Sequence, residues 1–311
     1  MASSQGTIVL TGANGGLGSA IVTNLLKKPE LAAYTGVYTV RKAATATALK
    51  RVLDAGPASH KHDIVDLDLS SLVSVRETAA EINRRVAAGD LPPIRALILN
   101  AAYQDHEELD LGTTMFLTSC FNIDDKRNTI GGEPYKGRTT LFPSVEELAK
   151  GTWSTPKDGD GWWTGFRRYG ASKLCAVMLM HELANRIGTD PDLSNITVVG
   201  LDPGAMSSDL TRRGGSSMHF NIKVMLPIIA YLAVKFSPNG AMRPLWKSAG
   251  DVVRLCFDVD APKGKLLYLN GTDEFETAKE ARNAANRKSL WDYGVVAAGI
   301  KQGDTVLTNW Q

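Results

Sequence analysis

The sequence predicts an α/β protein built on a doubly wound parallel sheet, folded as one domain. Three observations predict it. Short β-branched or apolar runs at residues 7–10, 36–40, 94–99 and 196–201 alternate with longer segments of helical periodicity. The first run leads through a glycine-rich turn straight into a helix, and later runs end on small or turn-forming residues, as strands do along the carboxyl edge of a parallel sheet. The 311 residues are 43% hydrophobic, enough for a full core, with neither repeats nor a linker to divide them.

Composition narrows the partners. The net charge is +2 with the basic residues scattered, so no nucleic-acid footprint is expected. Cys120, Cys175 and Cys256 lie far apart and the five histidines show no ligand-like grouping, so no metal is expected and the thiols should be reduced in a cytoplasmic setting. Residues 1–6 carry no charged-then-apolar leader, which argues against secretion. The longest apolar run, 224–234, is too short to cross a bilayer and contains Pro227, so no spanning helix is expected.

Taken in order, residues 7–10 form the first strand and enter Thr11-Gly12-Ala13-Asn14-Gly15-Gly16-Leu17-Gly18, followed by a helix over 19–28. Gly12 permits the tight exit from the strand, Gly16 lets backbone N–H groups approach a pyrophosphate, and Gly18 allows the helix to lie close on the sheet. This is a Rossmann-like dinucleotide turn with the spacing G-x-x-x-G-x-G; a βα turn that binds nothing could share it. The second strand, 36–40, ends on Arg41-Lys42, where an acidic residue for an unphosphorylated ribose usually stands, and two positive charges there suit a 2′-phosphate. A solvated basic turn is the plainer alternative. The third strand, 63–69, ends at Asp68, placed either to reach an adenine amino group or to cap a helix over 70–84. The fourth, 94–99, is continuously apolar, as in strands buried on both faces, and ends on Asn100-Ala101-Ala102.

There the alternation breaks. Only 103–114, acidic and poor in apolar positions, stands before the fifth strand at 114–119, so no good covering helix is available. Residues 120–168 read as a loop insertion with a short helix at 144–150 and tryptophans at 153, 162 and 163, which either border a hydrophobic substrate or pack the loop on its own domain. A long helix carries Tyr169 through Arg186. A strand at 196–201 then runs into Asp202-Pro203-Gly204. Residues 209–311 read as a substrate-side lid and C-terminal extension. Within it, the apolar segment 224–236, flanked by Lys223 and Lys235, is expected as a core or lid helix, with contact to a membrane surface as the alternative. A helix over 249–257, a closing strand over 264–269 and a polar helical tail over 276–299 complete the chain.

Tyr169 and Lys173 carry the chemistry. They stand at i, i+4, on one helix face. A phenol with an ordinary pKa near ~10 is a poor acid or base at neutral pH unless a nearby cation stabilises its anion, and Lys173 is placed to do so.

With these residues assembled, the chain resembles the short-chain dehydrogenases/reductases over about residues 5–210. The matching positions, in order, are Thr11-Gly12-x-x-x-Gly16-x-Gly18, Asn100-Ala101-Ala102, Ser119, Tyr169-x-x-x-Lys173 and Pro203-Gly204. The long stretch between Ser119 and Tyr169 is similar to the branch holding retinol dehydrogenase-like and protochlorophyllide reductase-like members. The resemblance implies a single domain over 1–311, bound NADP, and a small carbonyl or alcohol substrate of fairly apolar character. It implies that Tyr169 is the general acid/base, that Lys173 lowers its pKa and bonds the nicotinamide ribose, and that Ser119 holds the substrate oxygen. It further implies that Gly12, Asn14, Gly16, Leu17 and Gly18 hold the pyrophosphate side, Arg41 the 2′-phosphate, Asp68 the adenine, Asn100 and Ala101 the adenosine ribose side, Pro203-Gly204 the nicotinamide and Ser208 its carboxamide.

Three departures stand out. Asn100-Ala101-Ala102 replaces Asn-Ala-Gly, Ser119 lacks a neighbouring serine, and the helix before the fifth strand, with its catalytic Asn and its common role in dimers, has no counterpart. The readings open at this point are an NADP(H)-dependent oxidoreductase and a shortened chain that binds NADP without turnover.

Overall fold

The computed structural model describes residues 5–102, 138–158, 163–207 and 226–311. Four consecutive β-branched or apolar residues make β1 (Thr7–Leu10), buried along its whole length. The chain then turns through its glycines into α1 (Gly16–Lys27), which lays Ile21, Val22, Leu25 and Leu26 on the sheet. Pro29 at its first position starts the short α2 (Pro29–Ala32), and β2 (Thr35–Val40) follows, again fully buried. After α3 (Thr47–Asp54) come β3 (His62–Asp66) and α4 (Leu72–Ala87), whose cap is Ser71, its hydroxyl accepting from Ser74 N at 3.3 Å. β4 (Ile94–Ile98) completes a parallel sheet in the order β3-β2-β1-β4.

The second half adds α5 (Val145–Ala149), the long α6 (Trp163–Thr189) and β5 (Val199–Asp202). After these come α7 (Leu226–Phe236), α8 (Leu245–Phe257), β6 (Leu267–Asn270), β7 (Asp273–Glu274) and α9 (Ala284–Ala297). β5 pairs parallel with β6, and β6 antiparallel with β7. One apolar core joins both sheets: Ile8 and Leu10 of β1, Ile21 and Leu25 of α1 and Val252 and Val253 of α8 pack with Leu201, Leu267 and Leu269. The predicted parallel α/β architecture is therefore observed.

A second cluster sets α6 in place. Leu174, Met178 and Met180 pack against Tyr268 and against Leu141, Phe142, Val145 and Trp153. So the described part of the expected insertion is packed into the domain, and Trp153 serves that packing. At the far end of α6, the Cβ that an alanine would add at Gly188 would sit 2.1 Å from Gly264 Cα, so helix and loop touch backbone to backbone there.

Two expectations are corrected. β4 is not buried on both faces: Ile94 is 43% and Leu97 59% exposed, and only Ile98 is buried. The register pairs Val9 with both Val37 and Leu97, so the three share a face. Ile82 of α4 covers the first two, and among the described residues no helix reaches Leu97. The second correction concerns α7, which is not core among the described residues. Ile228, Tyr231, Leu232 and Phe236 are more than half exposed and only Ala230 is buried, because the helix is apolar on every side and packs by one narrow strip. The expected fifth strand at 114–119 lies outside the described residues.

Candidate active site

The turn after β1 is held from both sides. Thr11 N donates to Ile98 O at 3.0 Å and Ala13 N to Thr39 O at 3.1 Å, which ties the loop to the ends of β4 and β2. Thr11 Oγ1 accepts from Asn100 N and Ala101 N, at 3.0 and 3.1 Å. The buried Asn100 amide donates to Thr11 O at 3.0 Å and Gly12 O at 3.3 Å, so its side chain braces the turn. Gly12 has φ +65°, and a Cβ there would lie 2.7 Å from Ala101 Cα; a Cβ on Gly18 would lie 2.2 Å from Gly12 O. No side chain fits either place.

The first turn of α1 is correspondingly open. Gly15 caps it without a side-chain acceptor, no acidic residue occupies the turn, and the backbone N–H groups of residues 16–18 lie at the positive end of the helix dipole. That arrangement fits a pyrophosphate. Asn14 acts from the side, its Oδ1 accepting from Leu49 N at 3.1 Å and linking the turn to α3.

Arg41 and Lys42 follow β2 at the same carboxyl edge and are exposed. Asp68 Oδ1 accepts from Ser70 N at 3.0 Å and Ser70 Oγ at 2.7 Å, which together with Arg41 holds the carboxyl below its ordinary range. Asp68 thus shapes the turn into α4, while the cap itself is Ser71.

On α6 the expected pair is formed. Lys173 is 4% exposed, its Nζ lies 5.2 Å from the centroid of the Tyr169 ring, and burial lowers its pKa to about 8. Tyr169 is half-buried. That value still lies above neutral pH, so the side chain over the Tyr169 ring is an ammonium there.

A third group lies at the end of β5. Gly204 has φ +72°, and its N–H donates to Asp202 Oδ1 at 2.9 Å, closing the Pro203-Gly204 turn. Two side chains that the sequence reading passed over hold this turn, Ser248, whose hydroxyl donates to Pro203 O at 2.7 Å, and the wholly buried Arg243. Ser119 and Ser208 lie outside the described residues.

No family model matches the chain. The chain is 39% identical to "Short-chain dehydrogenase iccH" of Talaromyces variabilis over 364 aligned positions, covering 99% of each chain. The chain belongs to the short-chain dehydrogenase/reductase family. That alignment is longer than the 311 residues of this chain, so this short-chain dehydrogenase carries residues where the present family member has none. Protochlorophyllide reductase A of Oryza sativa subsp. japonica is 27% identical, over 95% of this chain and 81% of its own. The structure of an NADPH-bound short-chain oxidoreductase of Pseudomonas aeruginosa PAO1 with an atypical catalytic center shares the fold at a TM-score of 0.50. It is 13% identical and covers 88% of this chain and 98% of its own.

Proposed function

We propose that this short-chain dehydrogenase/reductase is a cytoplasmic NADP(H)-dependent enzyme that interconverts a carbonyl and an alcohol on a small, fairly apolar substrate. The observation that carries the reading is the pairing of Tyr169 with a buried lysine one helical turn away, on a helix held by its own core cluster. NADP supplies the hydride chemistry when bound. The uncapped first turn of α1, with Gly12, Gly16, Leu17 and Gly18, would hold its pyrophosphate, and Arg41 its 2′-phosphate. Asp68, Asn100 and Ala101 stand on the adenosine side, Pro203 and Gly204 on the nicotinamide side.

Tyr169 donates its hydroxyl proton to the carbonyl oxygen in reduction and takes it back in oxidation. Lys173 makes that proton easier to release by stabilising the phenolate. Ser119 would orient the substrate oxygen and Ser208 the carboxamide. Tyr169→Phe is expected to lower turnover by at least about a hundredfold with NADPH affinity unchanged. Arg41→Asp is expected to move the ratio of affinities from NADPH toward NADH; an unchanged ratio removes the role given to Arg41.

A second reading has one specific observation in its favour. Among the described residues nothing covers Leu97, which is 59% exposed, and the Talaromyces relative carries residues this chain lacks. On that reading the chain binds NADP without turnover. NADPH binding in titration, no turnover across a panel of ketones and no change in Tyr169→Phe would establish it over the first.

A further inference from the structure

We propose that Arg243 is a positioning residue for the nicotinamide half of the dinucleotide, acting through the Pro203-Gly204 turn; the proposal rests on the functional reading above. Its side chain is 0% exposed. A guanidinium withdrawn from water needs acceptors for its fixed fork of donors. Its acceptors among the described residues gather at one place. Nη1 donates to Asp202 O at 2.7 Å, Nε to Gly240 O at 3.0 Å, and Nη2 to Asn239 O at 3.0 Å and to Asn270 Oδ1. Asp202 ends β5 and Asn270 ends β6. The fork therefore pins the carboxyl ends of two neighbouring strands to the 239–243 loop.

The turn is caught in this clamp. Ala205 N donates to Ala241 O at 2.7 Å, and Arg243 N to Ala205 O at 2.9 Å, so the residue after the turn is bridged to the same loop. A Cβ at Gly204 would meet Arg243 Cγ and Nε at 3.2 Å, so the turn lies directly against the Arg243 side chain. Ser248 bonds Pro203 O from the first turn of α8. Charge-assisted bonds from a rigid, buried fork resist a tilt of the turn that a neutral or single-donor side chain would allow. The turn is thus set before any ligand arrives, which is the condition for holding a ring at a fixed angle.

The test compares two ligands on the full chain. NADPH spans both halves of the site, whereas adenosine 2′,5′-bisphosphate fills only the adenosine half. Arg243→Met is expected to weaken NADPH by about tenfold while adenosine 2′,5′-bisphosphate stays within about twofold, and Arg243→Lys, which keeps the charge without the fork, is expected to follow it. If Arg243→Met does not fold, Ser248→Ala, which removes one bond to the turn, is expected to show the same split at about threefold. Variants that lose both ligands together, or neither, overturn the role given to Arg243. A wild-type chain that binds neither ligand overturns the functional reading, and this proposal with it.

Discussion

Burying Lys173 costs the folded protein stability, and the size of that cost can be worked out. Its pKa is lowered from 10.5 to about 8 by burial, so the unfolded chain holds the proton more tightly than the folded one. The sign follows directly. Between pH 8 and 10.5 the unfolded state binds more protons, so stability rises with pH across that window, and below pH 8 the full cost of the buried ammonium is present. From pH 7 to pH 10 the gain is about 2.5 kcal/mol. Lys173→Met removes the titrating group while keeping much of its length. The difference in unfolding free energy, variant minus wild type, should therefore shift by about 2.5 kcal/mol against the variant over that range, whatever its value at pH 7. Urea unfolding at pH 7, 8, 9 and 10 on both proteins measures it, taking the difference cancels groups that Lys173 does not touch, and the same pair of measurements on a Tyr169→Phe background removes the phenol beside it. A difference independent of pH would refute the claim that the ammonium is held against its own burial.

Other expectations follow from single contacts. Gly18→Ala puts a Cβ 2.2 Å from Gly12 O, backbone that a side-chain rotation cannot relieve, and should cost about 2–4 kcal/mol in unfolding free energy; a cost within about 0.5 means the loop can shift. His181, which bonds Thr277 Oγ1 at 2.7 Å, has its pKa lowered to about 4, chiefly by burial and then by Arg287 and Arg282. Its contribution is present above pH 6.5 and is lost as the pH falls toward 4, so His181→Gln should flatten the acid limb of a stability profile. Leu97→Ser should cost under about 0.5 kcal/mol and Ile98→Ser about 3 kcal/mol, because the two neighbours are 59% and 5% exposed; equal losses in urea unfolding would mean that Leu97 is covered.

The parts of the site that could be read in advance were those encoded locally. The glycines after β1, the basic pair after β2 and the i, i+4 pair on α6 each follow from a spacing of a few residues, and the structure forms all three. Arg243 was opaque for the opposite reason. Two of its acceptors, Asp202 and Asn270, lie 41 and 27 residues away in the chain, and no periodicity marks a residue whose partners are strand ends. The exposure of β4 was misread because an apolar run reports what a strand needs to bury, whereas burial depends on what lies over it. Likewise α7 is apolar on all sides, so its sequence gives no direction in which to turn it.

The contact between Gly188 and Gly264 gives the helix a distant anchor. Nineteen residues separate Tyr169 from Gly188, roughly 28 Å along the axis, and the two backbones meet there without side chains between them. A methyl group at that corner would act as a wedge under a lever, and a slight swing at the anchored end becomes a displacement of the phenol at the other. Drift at this remote corner would therefore reach Tyr169 without altering any residue near it.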